Sequence, residues 1–198
     1  MLKDPFGWFP SPLFGTILGY AFLLGILIDS LLPRYLNPNQ KPAPVLKRDR
    51  ASFLSINVAE LLAILSGLTL RYLNLGVTSP FAQYAGLIIM VAGFLLRSWA
   101  LWRLGRFFSR VVQIECGHQL ITNGPYRFLR HPAYTGMLMI FFGFLLGCGT
   151  WLGALSGLVL IGVAVLYRIK IEEKVLAEKF GDAYRAYMKR AWRLFPGF

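Results

Sequence analysis

Residues Gly124 to Gly136 read GPYRFLRHPAYTG: two arginines, a histidine and two tyrosines on a stretch broken by Gly and Pro, just before an apolar run. Residues of these types at this spacing suit ligand binding. Gly124-Pro125 is a turn signal, and Pro132 fits the first turn of a helix, where its missing N–H costs nothing. A helix starting near His131 presents unpaired backbone N–H groups, which together with the helix dipole suit a carboxylate or phosphate. Tyr126 and Tyr134 offer flat faces and hydroxyls, as a nucleobase or ribose pocket needs. Arg127 and Arg130 fit a ligand anion or, equally, lipid headgroups. On the residues alone, ligand binding and interfacial anchoring both stay open.

A second cluster lies further on, at Arg168, Glu172 and Glu173. Arg168 and Glu172 are four apart and so share a helix face, where the simplest reading is that they pair with each other. The apolar runs on either side of the short link CGT (residues 148–150) predict an antiparallel hairpin. That hairpin would bring residues 168–173 back beside 126–134, so that a cation, carboxylates, aromatic rings and orphan amides converge.

The elements that must position these residues are apolar. Of 198 residues, 56% are hydrophobic and only 15% charged, with mean hydropathy +0.55; a soluble domain carries roughly a quarter charged residues. Five stretches approach the length of about 20 residues that a membrane crossing needs: residues 13–32, closed by Pro33, then about 53–73, 81–102, 133–147 and 151–167. The expected fold is an all-α integral membrane protein with five transmembrane helices, a helix 4/5 hairpin and an amphipathic cytoplasmic tail helix interrupted at Gly181. It forms a single membrane domain over 1–198, with three N-terminal helices in 1–102 and a ligand-binding loop, the hairpin and the C-terminal helix in 103–198. The first run follows Lys3 and Asp4 without a small-residue cleavage site, which reads as a retained helix.

The formal net charge is +12, from 21 Lys and Arg against 9 Asp and Glu. In so apolar a chain, basic loops face anionic lipid or record the positive-inside bias, and nucleic acid is not an expected partner. Cations concentrate in residues 34–50, 103–130 and 168–193, which puts the N-terminus outside and both long loops and the tail in the cytoplasm. Cys116 and Cys148 fall on opposite sides in this topology, and two cysteines are too few for a disulfide framework or a closed zinc site, so no metal is expected. Asp29, Glu60 and Arg97 fall inside apolar runs, where ionisable groups are costly. Glu60 and Arg97 lie at similar depth and are expected to pair, or else to line a polar cavity; Asp29 is expected to meet interfacial water.

The ordered set Arg130-His131-Pro132-Ala133-Tyr134, apolar hairpin, Glu172-Glu173 resembles the isoprenylcysteine carboxyl methyltransferase family of integral membrane enzymes and, more loosely, the phospholipid methyltransferases. The likeness extends upstream through VVQ and HQLITNGPY and downstream through KVLAEKFGDAYRAY to FP, covering residues 111–196. The resemblance implies an S-adenosylmethionine site formed by Gln113, His118, Gln119, Leu120, Ile121, Tyr126, His131, Pro132, Ala133, Tyr134 and Glu172. It implies Arg168 as the arginine for the methyl acceptor. The spacing between Gln113 and His118 is shorter than in the eukaryotic enzymes, and the chain has fewer crossings.

The reaction so implied is carboxyl O-methylation of a lipophilic, isoprenylcysteine-type acceptor, with membrane lipid as the other partner. An acceptor carboxylate is ionised at neutral pH and needs no general base, so no catalytic base is assigned. Arg168 would hold that carboxylate as a fork, Glu172 the ammonium of the cofactor, and the fourth helix's N-terminus its carboxylate. Other readings are N-methylation of a phospholipid amine, S-methylation of a lipophilic thiol, an NADPH-dependent sterol-type reductase, and a non-enzymatic lipid-binding membrane protein.

Overall fold

Long runs of Leu, Ile, Phe, Ala and Gly with few internal charges favour helices that hide their backbone from lipid. The computed structural model describes residues 7–36, 47–105 and 120–197, and among them the chain forms six α-helices. These are α1 (Pro12–Leu36), α2 (Lys47–Tyr72), α3 (Pro80–Leu104), α4 (Pro132–Gly147), α5 (Trp151–Phe180) and α6 (Asp182–Met188). Four segments are long and apolar enough to cross a membrane: Pro12–Leu32, Ala51–Tyr72, Pro80–Leu104 and Trp151–Phe180. Their outer faces carry exposed large apolar side chains such as Leu23, Ile88 and Val163, as lipid contact requires. The protein is an all-α, multi-pass integral membrane protein.

Three expectations about helix ends are corrected. α1 runs through Pro33 to Leu36; a proline one turn from the end removes a single internal hydrogen bond, which the last turn tolerates. α2 begins at Lys47, so the basic run KRDR forms its first turn. α5 is continuous over 30 residues to Phe180, so the first half of the expected tail helix is an extension of the last crossing helix. Nothing between Tyr167 and Phe180 breaks a helix, and Lys, Glu, Ala and Leu favour one. The break comes at Gly181, whose φ of 52° suits glycine and whose N–H bonds to the Ala177 carbonyl.

Packing sets α3 against α4, and α5 against both α2 and α4. Glycines on the α3–α4 seam let the two backbones touch. A Cβ on Gly143 would sit 2.5 Å from the Met90 nitrogen, and one on Gly86 would sit 2.5 Å from the Gly147 nitrogen. Such close approach maximises van der Waals contact where lipid removes the hydrophobic drive between helices. The core around this seam includes Leu18, Met90, Phe141, Ile161 and Val165, with Phe22 of α1 stacked on Phe144 at 4.0 Å.

Thr150 shapes the corner between α4 and α5. Its hydroxyl accepts from the Gly153 N–H, capping α5, and donates to the Leu75 carbonyl. The Trp151 N–H donates to the Gly76 carbonyl, and the Thr78 N–H to that of Gly149. At the other end, the chain after α6 folds back over the start of α4. Arg130 N–H donates to the Trp192 carbonyl at 2.7 Å, and His131 N–H to that of Arg193 at 3.2 Å. The Thr135 hydroxyl donates to the Leu194 carbonyl at 2.7 Å.

The expected Glu60–Arg97 pair is replaced by another. Arg97 grips Asp29 through Nε at 2.5 Å and Nη2 at 3.1 Å, while Glu60 acts on it electrostatically without sharing those bonds. Equal depth did not decide the partner. α1 packs on α3, whereas α2 packs mainly on α5, so the carboxylate that reaches Arg97 comes from α1.

Candidate active site at the foot of α4 and α5

Residues 124–127 form a single 3-10 turn, and the chain then reaches His131, the N-cap of α4. The His131 carbonyl accepts from both Tyr134 N–H at 3.0 Å and Thr135 N–H at 3.1 Å. Pro132 has no N–H. The row of orphan amides expected at this helix start is therefore mostly used up, and in the first turn only Ala133 N–H has no partner among the described residues.

The first turn of α4 meets the C-terminal half of α5. The Tyr134 hydroxyl donates to Glu172 in a close hydrogen bond and accepts from Arg168 Nε at 2.6 Å. Arg168 Nε also lies 3.1 Å from Glu172 Oε1, and its Nη1 donates to the Ser52 hydroxyl at 3.2 Å. The helix spacing of four thus does pair Arg168 with Glu172, but Tyr134 joins them. His131 stands between two carboxylates: Nδ1 is 3.7 Å from Glu172 Oε2, and Nε2 is 3.4 Å from Glu173 Oε1.

The adjacent glutamates have different surroundings. Glu173 is saturated: Arg130 Nη1 and Arg193 Nη2 each donate to it at 2.7 Å. Its side chain is 9% exposed, against 21% for Glu172. Glu173 ties the RHP turn, α5 and the C-terminal strap together, while Glu172 keeps more access to solvent. Removing one partner of a buried pair leaves the other charges uncompensated, so Glu173→Gln is expected to lower unfolding stability by about 3 kcal/mol. Thermal unfolding in detergent, monitored through the tryptophans, checks this; a melting curve superimposable on the wild type would refute it.

Tyr126 is buried. Its phenol is pushed well above its ordinary pKa by burial, reinforced by the nearby negative charge of Glu172, and stays protonated. The Tyr187 hydroxyl of α6, its pKa likewise raised by burial, donates to the Tyr126 carbonyl at 2.7 Å and bridges to that of Leu129. Pro132 is buried. The Ala133 carbonyl accepts from Arg97 Nη1 at 2.8 Å. Leu120 packs on the Tyr184–Tyr187–Ala191 cluster, and Ile121 is partly buried beside it in sequence. Gln113, His118 and Gln119 lie outside the described residues, as does Cys116.

The structure thus brings Tyr134, Arg168 and Glu172 into one hydrogen-bonded group, with His131 beside it, 3.7 Å from Glu172 and hydrogen-bonded to Glu173. Glu173, expected in the second cluster, stands beside this group with Arg193 bound to it, Ser52 bonds Arg168, and Arg97 and Tyr187 hold neighbouring backbone carbonyls; Arg193, Ser52, Tyr187 and Arg97 were not expected there. Glu173 had a signal, its place beside Glu172. The others contribute from distant segments; Arg97 is marked as an ionisable residue inside an apolar run, and nothing in the local sequence of Arg193, Ser52 or Tyr187 marks them for this site.

Residues 81–183, which span α3 to α5 and hold Arg97, His131, Tyr134, Arg168, Glu172 and Glu173, match the family model described as phospholipid methyltransferase. The chain belongs to the phospholipid methyltransferase family. The probable protein-S-isoprenylcysteine O-methyltransferase of Oryza sativa subsp. indica is 33% identical over 118 residues, covering 59% of this chain and 62% of that protein. The Dictyostelium discoideum protein-S-isoprenylcysteine O-methyltransferase is 34% identical over 122 residues, 58% of this chain and 49% of the relative. That of Saccharomyces cerevisiae is 29% identical over 189 residues, 85% and 75% respectively. This family member therefore spans about three fifths of the length of the rice protein. Its fold is also shared with a eukaryotic intramembrane Ras methyltransferase, isoprenylcysteine carboxyl methyltransferase, at TM-score 0.61 and 20% identity. That likeness covers 94% of this chain and 76% of that one.

Proposed function

We propose that this phospholipid methyltransferase family member is an S-adenosylmethionine-dependent methyltransferase of lipophilic acceptors, foremost a carboxyl O-methyltransferase of isoprenylcysteine-type substrates. The observation that carries the reading is the Tyr134–Arg168–Glu172 group with His131 beside it. The relatives named above, methyltransferases of that acceptor class, support it.

The donor set fits such a cofactor, a zwitterion bearing a sulfonium. Glu172, the more accessible carboxylate, suits an ammonium or sulfonium charge. The His131 and Tyr134 rings, 5.9 Å apart, offer faces that attract a cation. Ala133 N–H suits a carboxylate. Leu120, Ile121, Tyr126 and Pro132, with Gln113, His118 and Gln119, complete the proposed cradle. When bound there, S-adenosylmethionine would supply an already activated methyl group.

The chain's own residues then have three tasks. Arg168 orients the acceptor carboxylate, its guanidinium plane fixed by Tyr134, Glu172 and Ser52. Glu172 supplies the counter-charge for the donor. The strap after α6, bonded to Arg130 and His131, closes the foot of α4 against water.

The proposed topology has five crossings, with the N-terminus outside and the site on the cytoplasmic side, in keeping with the one-sided cations. α4 is the fifth; its 16 residues span about 24 Å, less than the ~30 Å hydrocarbon core, so its ends rest on protein and the interface. Residues 103–198 carry the donor site within a single membrane unit.

The family description favours a second reading, N-methylation of a phospholipid amine. An amine must first lose a proton, so its rate would climb steeply through neutrality, whereas a carboxylate's would stay flat. The deciding experiment is methyl transfer from labelled S-adenosylmethionine to farnesylcysteine analogues, phosphatidylethanolamine and aliphatic thiols. Labelled ester on the farnesylcysteine analogue is the expected result. Label on the amine alone replaces the acceptor assignment, and binding of NADPH in place of S-adenosylmethionine ends the reading.

A further inference from the structure

α1 is the least buried of the four long apolar helices. Yet it carries Asp29, whose carboxylate takes both Nε and Nη2 of Arg97 from α3. The remaining named donor, Nη1, reaches the carbonyl of Ala133 at 2.8 Å. That carbonyl belongs to the first turn of α4, between the proline that starts the helix and Tyr134, whose hydroxyl links Arg168 to Glu172. Gly136, one turn on, lets the two backbones close: a Cβ there would lie 2.8 Å from Arg97 Cβ and 2.9 Å from Arg97 N.

An ionised pair within apolar helices carries a desolvation cost, and an apolar pair of similar size would often serve packing as well or better. What an apolar pair cannot do is donate to Ala133. The guanidinium can bond on two sides because its fork is rigid: Asp29 holds one edge, and that fixes the direction in which Nη1 points.

We propose that Asp29 and Arg97 are positioning residues, an intramembrane brace from α1 through α3 that holds the Ala133 carbonyl and thereby sets Tyr134 and the first turn of α4 for donor binding. The proposal rests on the methyltransferase reading above for its functional consequence, but the brace itself can be tested without it.

Two variants separate positioning from stability. Arg97→Lys keeps the charge opposite Asp29 but loses the second, rigidly aimed bond to Ala133. Asp29→Leu with Arg97→Met removes both partners of the bridge together, so neither is left facing the site of a lost counter-charge; Glu60, the other carboxylate near Arg97, is unchanged. For each, three quantities are measured on the full chain in detergent or nanodiscs: melting temperature, S-adenosylhomocysteine affinity by titration calorimetry, and amide hydrogen exchange in a peptide covering residues 131–137.

The expected result is a melting temperature within a few degrees of the wild type, donor affinity weakened at least tenfold, and faster exchange in that peptide. Unchanged affinity in folded Arg97→Lys overturns the proposal, as does failure of both variants to fold, which would make the pair structural only. If the wild type itself binds no S-adenosylhomocysteine, the methyltransferase reading falls. The exchange measurement then decides the brace by itself, and unchanged protection of residues 131–137 in both variants overturns it.

Discussion

Arg168→Ala is expected to lower methyl transfer by about 100-fold or more, the usual cost of removing one aimed donor from a catalytic site, while donor affinity changes little. The guanidinium is buried and fixed by Tyr134, Glu172 and Ser52, so its proposed role is alignment of the acceptor carboxylate. Without it the carboxylate loses its orientation, but Glu172 keeps its charge, and the donor's cationic end keeps its partner. Glu172→Ala and His131→Ala should do the reverse and weaken S-adenosylhomocysteine binding. Arg168→Lys should recover only part of the rate, because an ammonium cannot present two parallel donors. Titration calorimetry and turnover on the same preparations separate these effects. Equal loss of affinity and rate in Arg168→Ala would contradict the division of labour.

The second large effect concerns the α3–α4 seam. Gly143→Ala is expected to destabilise the protein by about 3 kcal/mol, at the upper end of the overpacking range. The added methyl would meet the Met90 nitrogen at 2.5 Å and the Gly86 carbonyl oxygen at 2.6 Å. Both are backbone atoms inside a helix, and neither can rotate away as a side chain can. The helices must part, and α3 carries Arg97 while α4 carries Tyr134, so donor affinity should fall too. Gly162→Ala is the control: its Cβ meets nothing within 4 Å, and Gly to Ala inside a helix favours the folded state by roughly 0.5–1 kcal/mol. A melting temperature lowered by both substitutions alike would show that the seam is not special.

Much of this was legible along the chain. Hydropathy marks the apolar helices because a span must be long and nearly uncharged, and that requirement acts residue by residue. The two clusters that could bind a ligand were also visible, since Pro132 marks a helix start and the spacing of Arg168 and Glu172 marks one helix face. Their meeting followed from the brevity of the link at residues 148–150, a constraint so local that sequence carries it.

Partner choice was decided in three dimensions. Glu60 and Arg97 look matched by depth, but depth is one coordinate, and the side-by-side order of helices chose Asp29 instead. The amides at the start of α4 look free in sequence; the carbonyl of His131 takes two of them, and the strap from residues 192–194 occupies the turn before. Glu173 reads as the twin of Glu172 and turns out to be the saturated one, because Arg130 and Arg193 reach it from segments 43 residues before and 20 residues after. Sequence by itself determined which residues were polar, where helices ran and how close in the chain they lay. Tertiary packing decided which charge faced which, because electrostatic partners are set by distances across helices that no spacing along one helix encodes.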